Sequence, residues 1–305
     1  MTGRLNKNGK YCLDMMLKWS WRFLVGTALL FVFYVLTQIF LFTSFSIPSD
    51  SMCPLLQPGD NVLVNKCYAG ARLFSLEDAI DHKPLHIRRM PGTSDILHND
   101  VVIFNFPYPE RWDSIGFDVM LYYAKRCIAL PGDTLEIKNG HYRVSGYGGS
   151  LGNIESQDEL ARIMSTEQGV QWLIKQNCYY AYPFDSLLNW NIKELGPLYI
   201  PRAGDQIHLE HSSVVLYRQL IEWEQGAKLT EQKGCYQLGG NEITNYTFQK
   251  NYYFMGGDKT ENSRDSRYWG LLPEEYIVGK VWRIWKSIDK STGTTRWERI
   301  WKKIG

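Results

Sequence analysis

The stretch SIPSDSMCP, Ser46 to Pro54, sets three serine hydroxyls and the Asp50 carboxylate within six residues, directly after a long apolar run and with Met52 following the third serine. Two readings fit this cluster: a polar loop leaving a helix, or a nucleophilic site at a membrane surface. A serine nucleophile needs a base to take its proton, and histidine is the commonest choice. The six histidines, His82, His86, His98, His141, His208 and His211, stand in stretches with no companion motif. His208 and His211 are three apart in a strand-like stretch, where odd spacing turns side chains to opposite faces, so no shared metal is expected there. Lysine is the other candidate base, because burial penalises the ammonium and lowers its pKa from about 10.4. Lys125, in YYAKRCIALPGD (122–133), reads as the end of a strand beside Tyr122, Tyr123 and Ile128. With Arg126 as its neighbour, an exposed strand lysine fits the same residues.

What must position these groups begins with a membrane segment. From Phe23 to Phe42 the sequence FLVGTALLFVFYVLTQIFLF carries no charge, and its length suits a helix crossing roughly 30 Å of hydrocarbon. The apolar region of a cleaved secretory signal is shorter, about 7–15 residues. Arg4, Lys7, Lys10, Lys18 and Arg22 precede the run, and no Lys or Arg follows until Lys66. The positive-inside rule therefore puts the N-terminal tail in the cytoplasm and everything after Thr43 on the far side. Trp19 and Trp21 stand where an interfacial aromatic belt is expected.

The 305 residues are 44% hydrophobic, enough for a sizeable core, and the net charge of +2 is too small and too dispersed for a nucleic-acid footprint. The cysteines, Cys12, Cys53, Cys67, Cys127, Cys178 and Cys235, form no CxxC or Cys/His pairing, which argues against zinc. One bridge, Cys178 to Cys235, stays open.

Beyond the membrane the signals are strands and turns: QPGDNVLV (57–64), NDVVIF (99–104), LPGDTLEI (130–137) and RAGDQIHL (202–209). Three of them join a Gly-Asp turn to a short β-prone stretch. Between about 139 and 237 the character changes. Ser156 and Glu159 have capping-box spacing ahead of Leu160, Ile163 and Met164, and Leu216, Leu220 and Trp223 mark a second helix that Gly226 closes. The tail RWERIWKKIG (296–305) mixes Trp with basic residues and fits either a lipid surface or solvent.

Three segments, SIPSDSMCPLLQPGD, YAKRCIALPGD and GGDKTENSRDSRYWGLLPEEYIVGK (256–280), occur in this order after the apolar run. Together they closely resemble type I signal peptidases, the Ser-Lys endopeptidases that cut signal peptides from exported proteins, and NDVVIFNFP (99–107) resembles a further strand motif of that family. The resemblance covers the span and both halves of the β region and leaves out 139–237. It implies a mostly β fold: an antiparallel catalytic domain (43–138 and 238–290) with a mixed α+β insertion (139–237). A cytoplasmic tail (1–22), one N-terminal transmembrane helix (23–42) and a basic aromatic C-terminal tail (291–305) complete the expected order.

Carried over position by position, the resemblance makes Ser51 the nucleophile and Lys125 the general base. Ser49 and the Ser51 backbone N–H would hold the oxyanion. Ser263 would orient the lysine, Asp265 and Arg267 would support the site, and Met52 would lie below the substrate strand. The implied substrates are preproteins cut after A-x-A-like sites, at the extracytoplasmic face of a plasma membrane. The implied partners are the lipid bilayer and the export machinery nearby, with no cofactor and no metal. A decayed homologue that only binds export substrates and a Ser-Lys self-cleaving protease are the alternatives. The chain departs from the family pattern twice. Asp50 replaces a small residue, and GDKTENS (257–263) replaces the usual Gly-Asp-Asn-Arg-Asp-Asn-Ser. A carboxylate aimed at Lys125 would raise its pKa, so Asp50 is expected to point to solvent. Cys53 and Cys127 are expected to be packing residues.

Overall fold

The computed structural model describes residues 7–81, 83, 85–232 and 234–304. Arg4 and His82 lie outside the described residues, as do the side chains of Lys7, Lys10 and Cys12. Helix α1 runs Lys7–Phe40, and its segment Leu13–Phe40 is long and apolar enough to cross a membrane. Its apolar side chains cover no core, as expected of a helix that is hydrophobic all round. The helix starts well before the apolar run and ends at Phe40, because Phe42 already opens the first strand. Its terminal carbonyls, which lack partners inside the helix, are met by the domain. Lys66 Nζ donates to Gln38 O at 2.8 Å, and Lys66 N donates to Leu41 O at 2.8 Å.

Seven strands form the main sheet: β1 (Phe42–Ser46), β2 (Asp60–Asn65), β3 (Val101–Asn105), β4 (Tyr122–Ala129), β5 (Tyr252–Gly256), β6 (Leu272–Pro273) and β7 (Ile277–Ser287). Their order is β1-β2-β7-β3-β4-β5-β6, with every pairing antiparallel. Register shifts along β7, against both β2 and β3, bend it and increase the local twist. The sheet consequently curls. The Phe45 ring of β1 meets the Tyr122 ring of β4 edge-on at 4.8 Å, although β2, β7 and β3 separate those strands within the sheet. Ile47, Met52, Leu56, Val62, Val101 and Ile284 fill the space so enclosed.

The recurring Asp-containing turns share one geometry. In each the Asp N–H donates to the carbonyl three residues back, and an Asp carboxylate oxygen accepts that residue's N–H: Gln57/Asp60, Leu97/Asp100, Leu130/Asp133 and Arg202/Asp205. The residue before each Asp has positive φ, supplied by Gly59, Gly132 and Gly204 and by Asn99 at φ 69°. NDVVIF therefore begins with the same turn, Asn standing in for Gly as it readily does in the left-handed region.

In the middle of the chain, strands Thr134–Lys138, His141–Val144 and Glu194–Tyr199 form a separate sheet. The helix Ile154–Met164 is capped by Asn153, whose side chain accepts Ser156 N, and not by the Ser156/Glu159 box. The Ser156 hydroxyl is occupied elsewhere, donating to Glu261 at 2.9 Å and accepting Thr260 N at 2.6 Å. A helix not expected from the sequence, Glu167–Lys175, comes next, and the expected one after it, His211–Gln225, buries Val214, Tyr217, Leu220 and Ile221 and ends at Gly226 with φ 60°. His211 thus opens a helix while His208 ends a strand, so the two are not partners on one strand. Cys178 and Cys235 are both free thiols, correcting the possible bridge.

The C-terminal tail is pinned to the sheet. Arg299 Nη2 and Nε hold the fully buried Asp60 carboxylate at 2.6 and 3.0 Å, and Ile304 is buried in the core. Trp297 and Trp301 stay exposed.

Candidate active site

Ser51 follows strand β1 in a turn closed by Cys53 N donating to Asp50 O and Leu56 N donating to Met52 O. Met52 and Leu56 turn inward and are almost fully buried, which leaves Ser51 half-exposed between them and the cleft. Lys125 lies in the middle of β4, paired across the sheet with Val102, and not at a strand end. Its side chain is 3% exposed. Lys125 Nζ and Ser51 Oγ form a hydrogen bond of 2.5 Å.

Burial pushes the Lys125 ammonium down to about 8; Asp265 opposes the change, Arg267 assists it, and Asp258 and Asp50 oppose it more weakly. A lysine in that range is neutral often enough near neutral pH to accept a proton. Two of those carboxylates have tight cationic partners. Asp265, fully buried, holds Arg267 in a fork of two 2.8 Å bonds. Asp258 holds Arg126 in a second fork at 2.6 and 2.7 Å. Burial alone would raise the Asp265 carboxyl, but Arg267 outweighs it and keeps Asp265 below the usual range. The Arg126–Asp258 fork went unread in the sequence, although both residues sit inside the motifs beside candidate site residues.

The segment after β5 is fastened to the Ser51 turn. Lys259 N donates to Ser51 O at 3.0 Å, and Gly257 N donates to Asp265 Oδ2 at 2.9 Å. A Cβ at Gly257 would stand 2.0 Å from Ser263 Oγ and 2.8 Å from Ser51 O. Gly257→Ala is expected to force both residues apart at about 1–3 kcal/mol, as overpacking a tight site does, and denaturant unfolding will measure it.

Ser49 Oγ lies 3.4 Å from Ser51 Oγ, on the same side of the turn. Ser263 is buried beside Gly257, and its hydroxyl makes no hydrogen bond among the described residues. Asp50 does not point freely to solvent. Its carboxylate pairs with Lys259 Nζ at 2.5 Å and takes Asn262 Nδ2 at 3.1 and 3.2 Å, because the substituted segment 257–263 supplies both donors. Cys127 is fully buried and Cys53 half-buried, in keeping with packing roles.

A cleft of about 370 Å³ opens over the pair, floored by Phe45, Ile47, Tyr122 and Ala124 and rimmed by Asn262 and Arg264. It borders edge strand β1, whose outer side has no partner in the sheet. The arrangement combines a hydroxyl, a buried amine, a backbone N–H and an open strand edge, which are the parts that acyl transfer on an extended peptide requires. Among the described residues no group of His, Cys, Asp and Glu is arranged to hold a metal.

The family model described as "Signal peptidase, peptidase S26" matches residues 18–181 and 199–285. The matched ranges run through most of 139–237, so the similarity extends further into that segment than the motifs alone indicate. Signal peptidase I of Buchnera aphidicola subsp. Acyrthosiphon pisum is 28% identical over 265 residues, 86% of this chain and 74% of its own length. That of Pseudomonas aeruginosa is 28% identical over 271 residues, 85% and 69% of the two chains. That of Helicobacter pylori is 26% identical over 304 residues, 94% and 91%.

Proposed function

Since the chain belongs to the signal peptidase family, peptidase S26, and is a protease that cleaves signal peptides, we propose that Ser51 is its nucleophile and Lys125 its general base. The observation that carries this reading is the 2.5 Å hydrogen bond between Lys125 Nζ and Ser51 Oγ inside a site that buries the lysine. Neutral Lys125 takes the hydroxyl proton as Ser51 Oγ attacks the scissile carbonyl carbon. The oxyanion forms against the Ser51 N–H and the Ser49 hydroxyl, groups that strengthen as charge develops. Lys125 then delivers the proton to the leaving amine, and a water activated by the same amine hydrolyses the acyl-enzyme. Ser263, whose buried hydroxyl has no hydrogen-bond partner among the described residues, is the group we assign to orienting the Lys125 amine. The Asp265–Arg267 pair and Met52 hold the frame around it.

The substrate enters as an added strand along β1, its small side chains before the cut facing the shallow apolar floor of the cleft. That geometry supports cleavage after A-x-A-like sequences. Helix α1 anchors the protein in a plasma membrane with its N-terminus cytoplasmic and the remainder extracytoplasmic, by the basic residues that precede the span. Half-exposed Trp282 and Trp285 stand beside the start of β1: the Trp282 ring is 5.6 Å from Phe42, and Trp285 Nε1 donates to Ser44 Oγ. This aromatic edge continues from the end of α1, so the bilayer surface lies beside the cleft where a signal peptide emerges. Export machinery delivering preproteins is the partner this placement calls for.

The test is cleavage of a preprotein by the full-length protein in liposomes, with sequencing of the new N-terminus. Cutting is expected after the A-x-A-like site, and replacing the residue before the cut by Phe is expected to stop it. The base works only when neutral, so kcat/KM is expected to rise tenfold per pH unit below about 8 and level off above it, following the lowered Lys125 pKa. A rising limb near 10.5, or cutting indifferent to the Phe substitution, would remove the base or the specificity from this reading.

A further inference from the structure

The Ser51 turn is tied to segment 257–263 at two levels, and only one of them is backbone. Beside the bond from Lys259 N to Ser51 O, the Asp50 carboxylate binds the Lys259 ammonium and the Asn262 amide of that same segment. Asp50 and Lys259 both depart from the family pattern, whereas Asn262 keeps it, so two departures meet in space.

The charges around Lys125 give this contact a second consequence. Asp265, Asp258 and Asp50 are the carboxylates acting on the lysine, and each has its own cation: Arg267, Arg126 and Lys259. Of the other ionisable groups near the outermost pair, Glu261 is engaged by Ser156 Oγ, Cys53 is a half-buried thiol, and Arg264 stacks over the Tyr268 ring and donates to Asn177 O. Lys259 is therefore the direct counter-charge to a carboxylate set one residue before the nucleophile.

We propose that Asp50, Lys259 and Asn262 form a clamp that holds the Ser51 turn against segment 257–263 and limits the effect of the Asp50 charge on Lys125. The inference rests on the reading of Ser51 and Lys125 as nucleophile and base. Asp50 and Lys259 are positioning residues, interdependent because either charge left alone is harmful or idle. The Asp50 and Lys259 side chains are 39% and 34% exposed. A bridge so exposed adds little to global stability, so its purpose is local.

The experiment compares pH–rate profiles of preprotein cleavage for full-length wild type, Lys259→Met, Asp50→Asn and the double variant D50N/K259M, all at one ionic strength, with Ser51→Ala as control. Lys259→Met bares the Asp50 carboxylate, and the rising limb of kcat/KM is expected to move about half a unit alkaline, roughly a threefold loss at pH 7. Removing the carboxylate as well should return the limb to the wild-type position while kcat stays several-fold low for want of the tether. Thermal midpoints of all variants should stay close to wild type. A limb unmoved in K259M, or one that stays alkaline in D50N/K259M, overturns the clamp. Activity retained by Ser51→Ala, or a wild-type profile without a limb near 8, overturns instead the reading on which it rests.

Discussion

Lys125→Met is expected to yield a folded protein whose cleavage rate falls on the order of 10⁴-fold, the scale seen when one member of a cooperating nucleophile–base set is removed. Methionine matches the lysine stem in length and fills its slot on β4 without an amine. Ser51 then has no group to take its proton, since among the described residues the side-chain partners within hydrogen-bond range of its hydroxyl are Lys125 and Ser49. Ser51→Ala should lose as much, and the double variant should lose no more than either single one, because the two act in one step. Stability should move the other way. Burying the amine disfavours its charged form, so replacing it with an apolar chain of similar volume is expected to leave the unfolding midpoint equal or higher. Single-turnover cleavage together with thermal unfolding separates the two effects. A Lys125→Met protein that still cuts at a tenth of the wild-type rate would rule out the lysine as the base.

Arg267→Ala is expected to be the most damaging change to stability, at about 3–5 kcal/mol, the usual cost of stranding one charge of a buried pair. Asp265 is fully buried and Arg267 is 1% exposed. Without the guanidinium, the Asp265 carboxylate keeps only the Gly257 N–H and its helix-cap contact, and Thr260 O loses the Arg267 donor at 2.8 Å. The unpaired carboxylate charge also reaches the site. Asp265 raises the Lys125 pKa and Arg267 lowers it, so the variant's rate should rise with pH later than the wild type's. Denaturant unfolding gives the first effect and the pH–rate profile the second. Asp265→Asn with Arg267→Met should recover part of the lost stability, because that double change leaves no unpaired charge.

The candidate residues that the structure brings together, Ser49, Ser51, Lys125, Asp265 and Arg267, stood out in sequence because each lies inside a motif whose spacing a fold must respect. Lys125 alone was ambiguous, as an exposed strand lysine has the same neighbours in the chain. It is buried where the Ser51 turn and the distant Asp258, Asp265 and Arg267 meet it, and no local window contains that meeting. Asp50 was misread for a related reason. Its partners Lys259 and Asn262 are more than two hundred positions away, and a carboxylate without a visible partner reads as solvated. The Ser156/Glu159 spacing misled because a hydroxyl at the right offset caps a helix only if nothing better binds it, and Glu261 and Thr260 do.

The sequence by itself determined the apolar segment, the order of the strands that follow it, the turn chemistry repeated at Asp60, Asp100, Asp133 and Asp205, and the motifs that hold Ser51, Lys125 and Ser263. All of these depend on residues close together in the chain, where φ/ψ preference, hydropathy and side-chain reach act directly. Tertiary structure decided which charges cancel. Arg126 meets Asp258, Lys259 meets Asp50, and Arg299 from the C-terminal tail meets Asp60. Charges that attract at a few ångströms must be brought there by the packing of distant segments, and that packing leaves Lys125 both buried and within hydrogen-bond reach of Ser51.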